Sequence, residues 1–357
     1  MGRGRRTPAR TRAATGYAGV LGSAALAAVA VLAAAGCTPA AATASAGTAS
    51  AAAGSDHSLT FAEAEAAYRS YLTASEAAAA QRNETRGEQD VAYAQWYILR
   101  GQYAALATER TPVPTYRYGR PVFYVPALAG YPQWFLVAVP RGAVVNGRPG
   151  PAVNTIMVFE RPDKHLPWTL NGSAELDQPL PTIARDKDGY AIDVRTTESD
   201  LLVRPDVLGA TQAAVVDQGP ASAAAAVIGS GPLTTGLYAT QSAQAGAATA
   251  QGLVYQWLLE GSNFPQFELR TADGGALVLY SMYLNTTTAH PGLVSGSPIP
   301  VPAGFVPLLA APTEVGYHEV LATWTFEYAA VDPPATAQNA KVQVIGADGG
   351  PTYGHAY

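Results

Sequence analysis

His318-Glu319 carries the opening of H-E-x-x-H, in which two imidazoles one helical turn apart hold zinc and the glutamate acts as a base. Position 322 is alanine, and Val320 to Phe326 reads as a strand, so the second ligand and the helix are both missing. His57, His165, His290 and His355 stand near Pro or Gly in expected loops or at ends, and read as surface histidines. Asp186-Lys187-Asp188-Gly189 has the outline of a calcium loop, but Ala184 takes the first ligand position and Arg195 the closing one. The oxygen cage cannot close, and a hairpin turn is expected instead. No G-x-S-x-G elbow, S-x-x-K or G-x-x-x-x-G-K run occurs, and Ser230 has no partner base nearby. Glycoside hydrolysis needs only two carboxylates at the right separation. Asp163, Glu175, Asp177, Asp186 and Glu268 are available, though most of the 27 acids in so acidic a chain are solvated surface groups. The expectation is therefore no catalytic residue, no metal site and no cofactor.

Aromatic residues are the second candidate set. Nine of the 19 tyrosines fall between Tyr68 and Tyr131, with Trp96 and Trp134 close by. Rings give an apolar surface with a polar edge, which suits a pocket or a sugar-binding face. Tyr68, Tyr71 and Tyr97 fall at or beside the core stripe of their helices, so packing between Ala-rich helices and a sheet is the favoured role.

Cys37 is the single cysteine. It follows an uncharged stretch, Gly19 to Leu32, and the small residues Ala34, Ala35 and Gly36. Arg3, Arg5, Arg6, Arg10 and Arg12 precede that stretch without an acidic residue among them. The segment resembles a bacterial lipoprotein signal peptide, with Ala34 where leucine is preferred. The resemblance implies cleavage after Gly36 and alkylation of the Cys37 thiol with diacylglycerol. The alternative is an uncleaved membrane helix from Tyr17 to Gly36. Both place the remainder at the outer face of the cell membrane. Arg5-Arg6 is followed by Thr7-Pro8 where a twin-arginine signal wants an apolar pair, so general secretion is expected.

Composition narrows the partners. Five of the 22 basic residues and none of the 27 acidic ones precede Cys37, leaving 17 against 27 and a net charge of −10. Nucleic acid, whose phosphates would repel such a chain, is not an expected partner. The membrane is expected as a partner only through the lipid anchor. A small molecule, a glycan or an envelope protein remains as the partner class. With Cys37 committed, stability must come from burial alone.

Thr38 to Gly54 holds no charge and no large apolar residue, and reads as a flexible tether within residues 37–57. Beyond it, Thr60 and Glu63 form a T-x-x-E capping box before a helical pattern running to Ala79. A second helix is predicted over Glu88 to Leu106. Strands are predicted at Pro121–Tyr124, Trp134–Val139, Ile156–Phe159, Trp168–Leu170 and Tyr190–Ile192. Near Leu202 the cycle restarts, with helices over Pro205–Asp217 and Ala221–Ile228 and a weaker one over Leu237–Ala250. Phe267–Arg270 and Leu277–Tyr280 flank Asp273-Gly274, a hairpin signal because both residues tolerate positive φ. Val320–Tyr328 and Val342–Ile345 follow, the last closed by Asp348-Gly349.

Helices then strands, twice over, predict an α+β fold of two similar halves, 58–200 and 201–357. Each half would place N-terminal helices against a curved antiparallel sheet, a cone-like layout of the NTF2 and cystatin kind. Leu59-Thr60 opening an Ala-rich helix, the strand Tyr131-Pro132-Gln133-Trp134-Phe135-Leu136 and the turn from Val158-Phe159-Glu160-Arg161 to Leu166-Pro167-Trp168 resemble uncharacterised actinobacterial lipoproteins. That resemblance implies a lipid-anchored extracellular domain of unknown function and supplies no catalytic residue. A non-enzymatic binding or envelope-associated role is expected, one form of it holding a small apolar or glycan-like ligand in a concave half. The rivals are a carboxylate-dependent hydrolase of envelope glycans, which needs two acids facing one cleft, and a solute receptor of a transporter.

Overall fold

Thr60 accepts the Glu63 N–H at 3.2 Å while Glu63 accepts from the Thr60 backbone at 2.9 Å, and this reciprocal cap starts α1 (Phe61–Gln81) as predicted. The computed structural model describes residues 59–109, 115–145, 147–311 and 313–357. The signal segment, Gly36, Cys37, the tether and His57 lie outside the described residues. After α2 (Glu84–Glu88), α3 runs Tyr93–Glu109. The single helix expected over 88–106 is therefore broken. Ala92 donates to the Leu170 carbonyl and Leu170 donates to that of Asp90, so Val91 bridges to a strand instead of continuing a helix. Tyr93 restarts the helix with φ at +51°, a region costly for a bulky side chain.

The first strands are β1 (Thr115–Tyr118), β2 (Val122–Tyr124), β3 (Gln133–Val145), β4 (Arg148–Pro149), β5 (Val153–Arg161) and β6 (Thr169–Leu176). Tyr190–Ile192 makes only isolated bridges within the long connection to α4 (Pro205–Gln218). Ala221–Ile228 forms no α-helix, only a 3₁₀ turn at Ala223–Ala226. The weaker candidate is a helix, α5 (Thr235–Thr249). Then come β7 (Val254–Gly261), β8 (Phe267–Arg270), β9 (Ala276–Ala289), β10 (Ile299–Pro300), β11 (Val315–Gly316), β12 (Glu319–Asp332) and β13 (Gln343–Ala356). The β8–β9 hairpin turns at Gly274 with φ +90°, as its sequence predicted. Asp348-Gly349 does not close β13. The strand passes through it, because a Cβ at Gly349 would meet the Thr325 carbonyl at 2.4 Å and glycine lets β12 come that close.

Eleven strands form one open, antiparallel sheet in the order β1-β3-β5-β6-β13-β12-β9-β7, with β2, β4 and β8 as side branches, where two similar sheets were expected; β10 and β11 pair apart from it. β6 and β13 pair only at Leu176–Gly346 and Glu175–Ala347. On either side of that short seam the sheet folds back on itself. α1 through Ala64 and Tyr68, α3 through Trp96 and Leu99, and the bridging Val91 between the helices pack on Phe135, Val137, Met157 and Phe159. The opposite face of the same strands, Leu136, Ile156, Val158 and Ala174, packs on Leu277, Leu279, Ala329 and Ile345. The far face of those strands, Val278, Tyr280, Met282 and Tyr328, meets Leu208, Val215 and Val216 of α4. Helix, sheet, sheet and helix are thus stacked in four layers, with period-2 alternation along β9 and β12 serving both inner and outer faces.

Candidate functional site

The two folded-back parts of the sheet cover one another only along part of their length. Along β9, every residue from Ala276 to Tyr280 is buried, but Ser281, Tyr283, Asn285 and Thr287 become half-exposed while their even-numbered neighbours stay buried. The odd-numbered side is where cover is lost. Cross-strand register places Glu260, Leu258 and Gln256 of β7 on this face, opposite Tyr283, Asn285 and Thr287. It adds Thr323 and Leu321 of β12, then Tyr353 and His355 of β13. Leu258 is 49% exposed, Tyr353 52% and Tyr357 52%. At usual strand spacing the face measures roughly 20 by 14 Å.

Aromatic rings form one wall of it. Phe264, in the turn after β7, lies 6.0 Å from Tyr283, 6.0 Å from Tyr97 in a stacked arrangement and 5.7 Å from Tyr93. Trp96 meets Tyr97 edge-on at 5.0 Å, with the Arg100 guanidinium 4.6 Å above its ring. Tyr97 is 41% exposed despite these contacts. α3 holds this wall because Gly101 lets it approach β13, where a Cβ would lie 2.1 Å from the Pro351 carbonyl. Beside the wall, the Thr323 hydroxyl donates to Asn285 Oδ1 at 2.8 Å and Asn285 Nδ2 donates to Glu260 at 2.6 Å. This chain fixes a polar edge across three strands.

Beneath the corner where cover ends lies a buried acid network. Glu327 Oε2 accepts from the Ser173 N–H at 2.8 Å and from Gln95 Nε2 of α3. β6 has already left β13 here, so the carboxyl takes the place of a missing strand partner. Burial pushes Glu327 up to about 8, and its Oε1 has no protein partner. Gly172, Asn171, Ser281 and Glu327 line a small, partly open space of about 10 Å³, room for a single water. Nearby, Glu160 accepts from Asn171 Nδ2 and hydrogen-bonds Tyr93, and burial raises both Glu160 and Tyr93. Across the seam, Arg141 bridges Glu175 at 2.9 Å and Asp348 at 3.0 Å, with Tyr116 under its guanidinium at 4.6 Å.

The sequence candidates fall as follows. His318 and Glu319 stand at the start of β12, with the His318 ring 3.3 Å from the Leu293 carbonyl. Asp186 accepts the Asp188 and Tyr190 N–H groups at 2.9 Å each, which is a turn. Asp163 accepts from the His165 N–H, and Glu175 is tied to Arg141. Asp177 donates its backbone N–H to the Ile345 carbonyl at 3.0 Å, and partial burial raises its carboxyl. Glu268 is the buried one, pushed up to about 8 by burial and then by Asp193. It lines neither the small space beside Glu327 nor the groove on α1. That groove is open and runs along α1 between Arg69 and Arg86. The face described above is an open sheet surface, where the binding expectation had a ligand held in a concave half. Tyr68 and Tyr71 pack against Phe159, as the packing role requires, whereas Tyr97 does not. Sequence reasoning missed Phe264, Tyr283 and Asn285, because β7 was not recognised and the face exists only once β7 pairs with β9. No three of His, Asp or Glu gather closely enough to hold a metal among the described residues. No helix among them is long and apolar enough to cross a membrane.

A model of the family described as Domain of unknown function (DUF8094) matches residues 55–355. An uncharacterized lipoprotein of Streptomyces avermitilis is 31% identical over 162 residues, 44% of each chain. Two uncharacterized lipoproteins of Streptomyces coelicolor are 30% identical over 52% of this chain and 53% of theirs, and 26% identical over 65% of each. The matched stretches thus span about half to two thirds of these curated relatives. No solved structure matches. One family model spans both sets of helices and strands, residues 55–355, and the chain belongs to that family, DUF8094.

Proposed function

We propose that this chain is a lipoprotein anchored through Cys37 at the extracellular face of the membrane, with a non-enzymatic binding role in the envelope. The uncovered face of β7, β9, β12 and β13 is its binding surface. The observation that carries this reading is the cluster of exposed Tyr97, Leu258, Tyr353 and Tyr357 on and beside one bare sheet face. Exposed apolar side chains gathered on one face, with polar groups between them, mark interaction sites. The signal-like segment before Cys37 and the lipoprotein relatives support the anchor. The strand order supports descent from two like halves, since β1-β3-β5-β6 and β7-β9-β12-β13 each run inward from an edge to the shared seam. A hydrolase reading keeps one support, the burial of Glu268 beside Asp193.

The test is co-sedimentation of the protein with isolated, delipidated cell walls, which removes the anchor's own pull toward lipid. Wild type is expected to pellet, and Tyr97→Ala combined with Tyr353→Ala to remain in the supernatant. Equal pelleting of both, or of neither, would count against the face.

A further inference from the structure

We infer that the ligand of the uncovered face is a neutral glycan, with a sugar ring stacked on the exposed Tyr97 ring, which Phe264 and Tyr283 back, and its hydroxyls bonded to the edge of Glu260 and Asn285. This rests on the face being the binding surface. Pyranose rings present a C–H face to an aromatic ring and hydroxyls around their rim, so they need a flat apolar platform with fixed planar polar groups beside it. Both are present side by side. Phe264 stacks behind Tyr97 with 29° between their planes, and Tyr97 is 41% exposed. Asn285 is held at both ends of its amide, by Thr323 and by Glu260. A carboxylate so tethered accepts from a sugar hydroxyl with little further ordering cost, and charge-assisted acceptance is the stronger kind.

Charge selects among polymers. Glu260 and Glu319 lie on the face, and none of the face residues placed by strand register is Lys or Arg. Arg100, one helical turn from Tyr97, is engaged with Trp96 and with Glu84 and Glu88. An anionic glycan or phosphate-rich polymer would meet carboxylates with no compensating cation. The openness of the face suits a chain lying across strands better than a free monosaccharide, which binds best where most of its surface is enclosed.

Affinity electrophoresis tests this directly. The full chain, kept soluble in a polyoxyethylene detergent because maltoside headgroups would compete, is run in native gels containing dextran, mannan, xylan or arabinogalactan, with hyaluronate as the anionic comparison. At least one neutral polysaccharide is expected to retard the protein and hyaluronate to leave it unchanged. Retardation should be lost in Tyr97→Ala and reduced severalfold in Glu260→Gln, both exposed positions whose variants can be checked for an unchanged melting transition. No retardation by any neutral polysaccharide, retardation untouched by both variants, or a preference for hyaluronate would each overturn the inference. Face-dependent pelleting with cell walls alongside any of those results would leave the binding surface intact and point to a protein or charged ligand.

Discussion

Glu327 shows how one residue can take the place of a strand. Its carboxyl satisfies the Ser173 N–H and Gln95 where β6 and β13 part. Glu327→Ala would strand two buried donors, at about 1–3 kcal/mol each, and is expected to lower stability by about 3 kcal/mol in urea unfolding. Glu327→Gln keeps an acceptor oxygen and should cost less than half as much. The same burial sets a pH dependence. Glu327 and Glu268 are held near 8 and Asp332 near 7, above the value of about 4 for an unfolded carboxyl. Between about pH 4 and 8 the folded chain therefore binds more protons than the unfolded one. Their contribution is complete below that window and is lost as pH rises through it. Asp206 and Asp273, held low chiefly by hydrogen bonds from Arg204 and Thr271, act only below about pH 4. The urea midpoint should thus fall steadily from pH 5 to 9, and a rising midpoint would contradict the assignment. None of this was legible beforehand. Glu327 sits between Phe326 and Tyr328 in an apolar strand, a hint of burial, but its partners are 154 and 232 residues away.

Elements were read more successfully where their signals are local. The Thr60–Glu63 cap and the Asp273-Gly274 hairpin depend on residues a few positions apart, and both stand as predicted. The failures share a different cause. α3 starts late because Val91 is taken by Leu170, and β13 continues past Asp348-Gly349 because glycine there serves close packing with β12. β7 was missed because Val254, Leu258, Tyr255, Trp257 and Leu259 place apolar residues on both faces, which blurs the alternation of a strand. Two glycines in helices separate packing from propensity. Gly101→Ala would drive a methyl into the Pro351 carbonyl and is expected to destabilise by about 1–3 kcal/mol, loosening α3 from β13. Gly246→Ala in α5 has open space around it and should stabilise by about 0.5–1 kcal/mol. Denaturant midpoints of the two variants moving in the same direction would contradict this distinction.

At the scale of the whole molecule, the helices-then-strands order was readable as a mixed α and β fold with an antiparallel sheet. The joining of all its main strands into one folded-back sheet was not. That joining depends on two residue pairs, Leu176–Gly346 and Glu175–Ala347, which no sequence periodicity encodes. The bare face is a by-product of the same geometry, since β9 and β12 extend beyond the strands that cover their inner ends. The anchor belongs to this scale too. Cys37→Ser should abolish labelling with a radiolabelled fatty acid and shift the protein from the membrane fraction to the medium if the signal is cleaved at another site. Undiminished labelling would contradict lipidation at Cys37. Hydrogen–deuterium exchange of the full chain, free and bound to delipidated cell walls, tests the central claim most directly. Protection on binding is predicted in residues 93–100, 254–264, 281–287, 319–325 and 353–357. Protection confined to α1 or α4, or none anywhere while the protein remains bound, would contradict it.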